Sequence, residues 1–112
     1  MNTHSRKAKG KRLQKKIAKD IQTLLNLNEM DVQSRPMGEK GTDIMFSPLA
    51  QLNFPYDIEC KNQETINIWD CITQTEHNVQ HGNQPLLIIK KNHTEPYAVI
   101  RWDHFLKLVK QP

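Results

Sequence analysis

The chain has 112 residues, 37% of them hydrophobic and 25% charged, enough for one domain with one modest core. No apolar run approaches the length that spans a bilayer, and the basic opening MNTHSRKAKGKR leads into no apolar signal segment. A membrane-spanning protein is therefore excluded as an expectation, a secreted one is disfavoured, and a cytoplasmic setting is expected. The net charge of +4 is unevenly spread. Residues 1–20 hold eight Lys or Arg against one acid, net +7, whereas residues 21–112 hold eight bases against eleven acids, net −3. A concentrated basic end on a mildly acidic body points to a polyanion partner, of which nucleic acid is the commonest. Cys60 and Cys71 form no CxxC pair, so free buried thiols are expected rather than a cysteine zinc site.

In chain order, residues 1–7 read as a flexible basic arm and residues 8–112 as a single domain. Residues 8–26 have helical periodicity, with Leu13, Ile17, Ile21, Leu24 and Leu25 on one stripe and Lys11, Lys15 and Lys19 on another face. EMDVQSR alternates as a short strand, RPMGEKG is a loop punctuated by Pro36, Gly38 and Gly41, and TDIMFS reads as a second strand. PLAQLN is a connection to a third strand, FPYDIECKN. Residues 65–81 are predicted to be a second helix with Gly82 as its stop signal. PLLIIKK reads as a buried central strand with PYAVIRW pairing beside it. Asp103 is placed to cap a closing helix bearing Phe105, Leu106, Leu108 and Val109. The order αβββαββα predicts an α/β fold with a mixed central sheet of about five strands flanked by helices.

Within FPYDIECKN, strand alternation sets Tyr56, Ile58 and Cys60 on one face and Asp57, Glu59 and Lys61 on the other. Phosphodiester hydrolysis needs an activated water, a clamp on the phosphate and stabilisation of developing negative charge. A divalent metal supplies much of all three. Mg²⁺, with Mn²⁺ as a substitute, takes hard oxygen ligands, usually one or two carboxylates plus waters and substrate phosphate. A hairpin-like connection of the second and third strands would bring Asp43, in GTDI, beside Glu59, with the Cys60 carbonyl as a further oxygen. Lys61, on the same face as Glu59, would hold the water and offset charge. Asp57 is either a third carboxylate or a structural residue at the strand entry, the second being favoured. Glu64 reads as a helix-start residue. His77 and His81 have zinc-ligand spacing but no HExxH motif, and a solvated helix end is favoured. Trp69 and Trp102 are expected to pack in the core rather than stack on bases.

The ordered pattern of basic helix, Gly-x-Asp, Glu59-Cys60-Lys61 and a helix with Gln74 resembles the PD-(D/E)xK nucleases of the restriction-endonuclease-like fold. The small Holliday junction resolvases and related phage nucleases are the most similar, over roughly residues 8–110. The resemblance implies that Asp43 and Glu59 are metal ligands, Lys61 the catalytic lysine and Gln74 an accessory glutamine. It further implies DNA endonuclease activity on branched DNA and a homodimer matched to a two-fold junction. Arg6, Lys7, Lys9, Lys11, Arg12, Lys15 and Lys16, with Arg35 and Lys40 around the loop, would contact phosphates without reading sequence. This chain departs from the family at Thr42, where Pro is usual, and at Gln14, where resolvases carry a first-helix glutamate. Glu39 is a carboxylate close enough in sequence to compensate. A nicking or flap nuclease of the same fold is one alternative, and a non-catalytic nucleic-acid-binding protein, favoured by Gln14, is another.

Overall fold

The computed structural model describes residues 3–80 and 82–111. The elements are α1 (Thr3–Leu25), β1 (Val32–Ser34), β2 (Ile44–Phe46), α2 (Pro48–Asn53), β3 (Tyr56–Asn62), α3 (Ile68–His77), β4 (Gln84–Lys90), β5 (Tyr97–Val99) and α4 (Trp102–Lys110). The fold is α/β. Among the described residues, no helix is long and apolar enough to cross a membrane.

Helix α1 begins at Thr3, not near Ala8, so the part of the expected arm from Thr3 to Lys7 is helical. No Gly or Pro interrupts Ser5 to Lys9, and Lys, Arg and Ala are good helix formers. Met1 and Asn2 lie outside the described residues. Leu13, Ile17, Ala18 and Ile21 are buried along α1. Leu24, expected on the same stripe, is exposed, whereas Leu25 packs against the core.

PLAQLN is a helix, not a plain connection. Ser47 caps it by accepting the Ala50 N–H at 3.2 Å, and Pro48 occupies the first helical position, where its missing N–H costs nothing. Helix α3 starts later than predicted because Asn67 is its cap, accepting the Asp70 N–H at 3.2 Å. It ends at His77, with Asn78 as C-cap, so Gly82 (φ 77°) lies in the following turn. His81 lies outside the described residues. The cap of α4 is Arg101, in extended conformation and without a side-chain bond, and Asp103 sits in the first turn.

The five strands form two small sheets rather than one. β1 and β2 make an antiparallel ribbon. β3, β4 and β5 make a mixed sheet, with central β4 parallel to β3 (Ile58 opposite Leu86) and antiparallel to β5. The parallel step is the β3–α3–β4 crossover. The sheets meet at Asp43, whose N–H donates to the Ile58 carbonyl at 3.0 Å. The next ladder position is taken by a side chain, because the Asp43 carboxylate accepts the Cys60 N–H at 2.6 Å. That substitution ends the continuity of the sheet.

The core lies between α1 and one sheet face, where Leu13, Ile17 and Ile21 meet Val32, Ile44, Ile58, Cys60, Leu86 and Ile88. Helix α3 covers part of the other face through buried Thr75, above Asp57, Glu59 and Leu87. Neither tryptophan is in the core. Trp69 on α3 and Trp102 on α4 are both exposed, because no other described element lies over them.

Candidate active site

A cleft of about 600 Å³ opens where α1, the β1–β2 loop, β3 and α3 converge. Asp43, Glu59, Cys60, Lys61 and Gln74 all line it. The sequence pattern thus collects in one place, because the sheet junction sets Asp43 against the middle of β3.

Glu59 is 5% exposed. Burial pushes its carboxyl up to about 7, and the negative charge of Asp43 adds to the effect. The Asn78 amide, donating to Glu59 Oε1 at 2.9 Å, and the Lys61 ammonium act in the opposite direction. Two carboxyls held together in a desolvated corner call for positive charge between them. Burial, followed by the charges of Asp43 and Glu59, pushes the Cys60 thiol up, so its sulfur stays protonated and is a poor ligand. Its backbone is better placed. The N–H and C=O of a strand residue face the same edge, so the Cys60 carbonyl points toward the Asp43 side.

Gln14 also borders the cleft. It is 7% exposed, and its buried Oε1 has no hydrogen-bond partner. Such an orphan carbonyl oxygen is costly unless something in the cleft satisfies it. Among the described residues, no group of three or more His, Cys, Asp or Glu side chains is gathered as a cation cage. The Asp43 and Glu59 carboxylates and the Cys60 carbonyl are hard oxygens of the kind that could hold Mg²⁺, with waters and phosphate completing its shell. Glu39 also lines the cleft, with its carboxylate 3.9 Å from the Arg35 guanidinium.

The basic residues divide. Arg6, Lys7 and Lys40 line the cleft. Lys11, one turn beyond Lys7, is exposed and continues the rim. Arg12, Lys15 and Lys16 are exposed but do not line the cleft, and Lys16 is held by Asp20 at 2.8 Å. Two expected phosphate contacts are corrected. Lys9 is 6% exposed, its nearest acid is Glu64 at 3.9 Å, and its carbonyl accepts from the Asn62 amide, so it is built into the α1–β3 contact. Arg35 braces the loop: its Nε donates to the Thr42 carbonyl at 2.6 Å, and its guanidinium lies over Gly41. A Cβ at Gly41, where φ is 124°, would sit 2.6 Å from Arg35 Cζ.

Asp57 is structural. Its Oδ2 accepts the Gln80 N–H at 2.7 Å, and its carboxylate accepts from the Asn83 amide at 3.4 Å, so it ties the loop after α3 to β3. Glu64 starts no helix; it accepts the Asn92 N–H at 2.7 Å. The sequence reading missed Asn78. The available signal was its position, one helical turn after Gln74 and hence on the same face.

Comparison with known proteins finds no matching family model, no matching curated protein and no matching solved structure.

Proposed function

We propose that this chain is a Mg²⁺-dependent endodeoxyribonuclease with a restriction-endonuclease-like core, acting on branched DNA. The observation that carries the reading is the meeting of Asp43 and Glu59 in a cleft that also holds Lys61 and a basic rim. The raised Glu59 carboxyl, buried beside Asp43 in an open cleft, supports that reading.

When bound, Mg²⁺ supplies polarisation of the scissile phosphoryl group and a more acidic water. Asp43, Glu59 and the Cys60 carbonyl are the residues that would hold it. Lys61, beside Glu59, positions the attacking water and offsets charge on the phosphoryl oxygens. Water adds to phosphorus and gives up a proton to solvent, the P–O bond to the leaving strand breaks, and the leaving oxygen takes a proton from solvent. Asn78 keeps the Glu59 carboxylate oriented from α3, and Gln74 is an amide donor on the same helix. Arg6, Lys7, Lys11 and Lys40 hold the flanking backbone, a contact that weakens as salt rises.

Gln14 favours a second reading, a DNA-binding protein of this fold that does not cut. One experiment separates the two. Labelled four-way junction, flap and linear duplex are incubated with Mg²⁺, with Mn²⁺ and with EDTA, beside Glu59→Ala. Metal-dependent cutting of the junction, lowered at least about 10²-fold in Glu59→Ala, is expected. Binding without metal-dependent cutting sinks the enzyme reading. Equal cutting of linear duplex sinks the branched preference, and faster cutting of the flap moves the activity to that substrate.

A further inference from the structure

Beside the cleft lies a second space of about 440 Å³, between α1 and the end of β3. Arg6, Lys9, Asn62, Gln63, Glu64 and Thr65 line it, and Arg6, Asn62 and Gln63 line the cleft as well, so the two spaces adjoin. Its volume falls in the range of small-molecule sites, roughly 300–1,000 Å³. The Lys9 side chain is 8% exposed, yet its ammonium makes no hydrogen bond among the described residues. Its nearest acid, Glu64, stands at 3.9 Å, too far for one. Both partners are fixed from behind. The Asn62 amide donates to the Lys9 carbonyl at 3.3 Å, and Glu64 Oε2 accepts the Asn92 N–H at 2.7 Å. A buried ammonium whose donors are unfilled at the wall of a polar space is costly until an acceptor meets it.

We propose, on the basis of the nuclease reading, that this space holds one unpaired nucleobase of the DNA, beside the scissile phosphate. Lys9 is a donor and Glu64 an acceptor, set 3.9 Å apart with no hydrogen bond between them. Every DNA base carries an acceptor beside a donor on its Watson–Crick edge. Guanine and thymine offer an exocyclic oxygen beside a ring N–H, and adenine and cytosine a ring nitrogen beside an exocyclic amine. Inside a duplex that edge is taken by the opposite strand. Only an unpaired nucleotide presents it, and extruding such a nucleotide costs least. Charge favours a base over a phosphate here, because the Glu64 carboxylate repels a phosphate but accepts from a neutral base N–H. Arg6, at the boundary of the two spaces, holds the phosphate of the same nucleotide. A branch or bulge can supply an unpaired nucleotide at the cut and a linear duplex cannot, so the pocket gives the branched preference a physical basis.

Binding of the full chain to labelled DNA, followed by fluorescence anisotropy in EDTA so that no cutting intervenes, is the test. Three DNAs of one sequence are compared: a duplex with a single unpaired nucleotide, the same duplex with that nucleotide abasic, and the fully paired duplex. The wild type is expected to bind the base-bearing bulge at least about tenfold tighter than the abasic one. Lys9→Met and Glu64→Ala are each expected to abolish that preference while binding the abasic bulge within about threefold of wild type. Glu64 is half-exposed, so Glu64→Ala tests the pocket even where Lys9→Met does not fold. Equal wild-type affinity for the two bulges overturns the proposal, as does a preference that survives Glu64→Ala. Weaker binding of all three DNAs alike in Lys9→Met marks a backbone-phosphate contact and overturns it too. A base preference in a chain that never cuts with Mg²⁺ keeps the pocket and sinks the nuclease reading, whereas metal-dependent cutting without a base preference does the reverse. A wild type that binds none of the three DNAs overturns both.

Discussion

Asp57 and Glu59 stand two residues apart on one strand, point to the same face and are both buried, yet their surroundings are opposite. Asp57 is met by donors, the Gln80 N–H and the Asn83 amide. Glu59 is met by one donor, Asn78, and by a second carboxylate, Asp43. The first arrangement closes a loop onto the sheet. The second sets two carboxyls against each other in a cleft. Both positions hold buried carboxylates, and the neighbours alone separate the one that is satisfied from the one whose carboxyl is pushed up.

The largest effect expected from this contrast is on cleavage. Glu59→Gln should lower metal-dependent cutting by at least about 10²-fold, whereas Asp57→Asn should leave the folded fraction cutting within about threefold of wild type. Single-turnover assays with matched amounts of folded protein measure both. Equal losses would erase the distinction.

Stability should rank the two the other way. Asp57→Ala removes the acceptor of the Gln80 N–H and the Asn83 amide and is expected to cost about 1–3 kcal/mol in urea unfolding. Glu59→Gln, measured without metal at pH 8, should be neutral or stabilising, because it removes a buried charge that faces another.

The same contrast predicts a pH dependence. The folded Glu59 carboxyl is raised to about 7 from an ordinary 4.5, so folding favours its protonated form. Its contribution is fully present below pH 4.5 and is lost as pH rises to about 7. Metal-free wild type should therefore lose stability relative to Glu59→Gln across that window and hold level above it. Added Mg²⁺ should raise the wild-type melting temperature most above pH 7, where the carboxylate is free to ligate, and should not do so in Glu59→Gln.

The smallest effect should come from Asn78→Ala. Losing the one donor to Glu59 is expected to lower cutting roughly tenfold and to move the pH–rate profile upward, since that bond favours the charged carboxylate. An unchanged profile would mean that Asn78 packs beside the site without tuning it.

Part of this was legible in the sequence. Alternation along FPYDIECKN put Glu59 and Lys61 together, helical spacing found the Leu13, Ile17 and Ile21 stripe, and the apolar run ending at Lys90 identified β4 as central. Ser47-Pro48 was a readable helix start that went unread. Other assignments were out of reach because they depend on what lies opposite in space. Lys9 and Arg35 have the composition of phosphate contacts, but one is buried in a helix–strand contact and the other braces a turn. Trp69 and Trp102 have amphipathic spacing that fits a core, but no other described element covers them.

The sequence by itself determined the local matters: which segments are helix or strand, which residues share a face, and where the basic charge is concentrated. These follow from propensity, period and side-chain chemistry, which act over a few residues. Only the tertiary structure decided that Asp43 interrupts the sheet to meet β3, that Gln14 is buried with an unpartnered oxygen, and that Asp57 is satisfied while Glu59 is not. Those outcomes arise from contacts between residues 15 to 26 positions apart, where desolvation and neighbouring charge, rather than residue identity, set the chemistry.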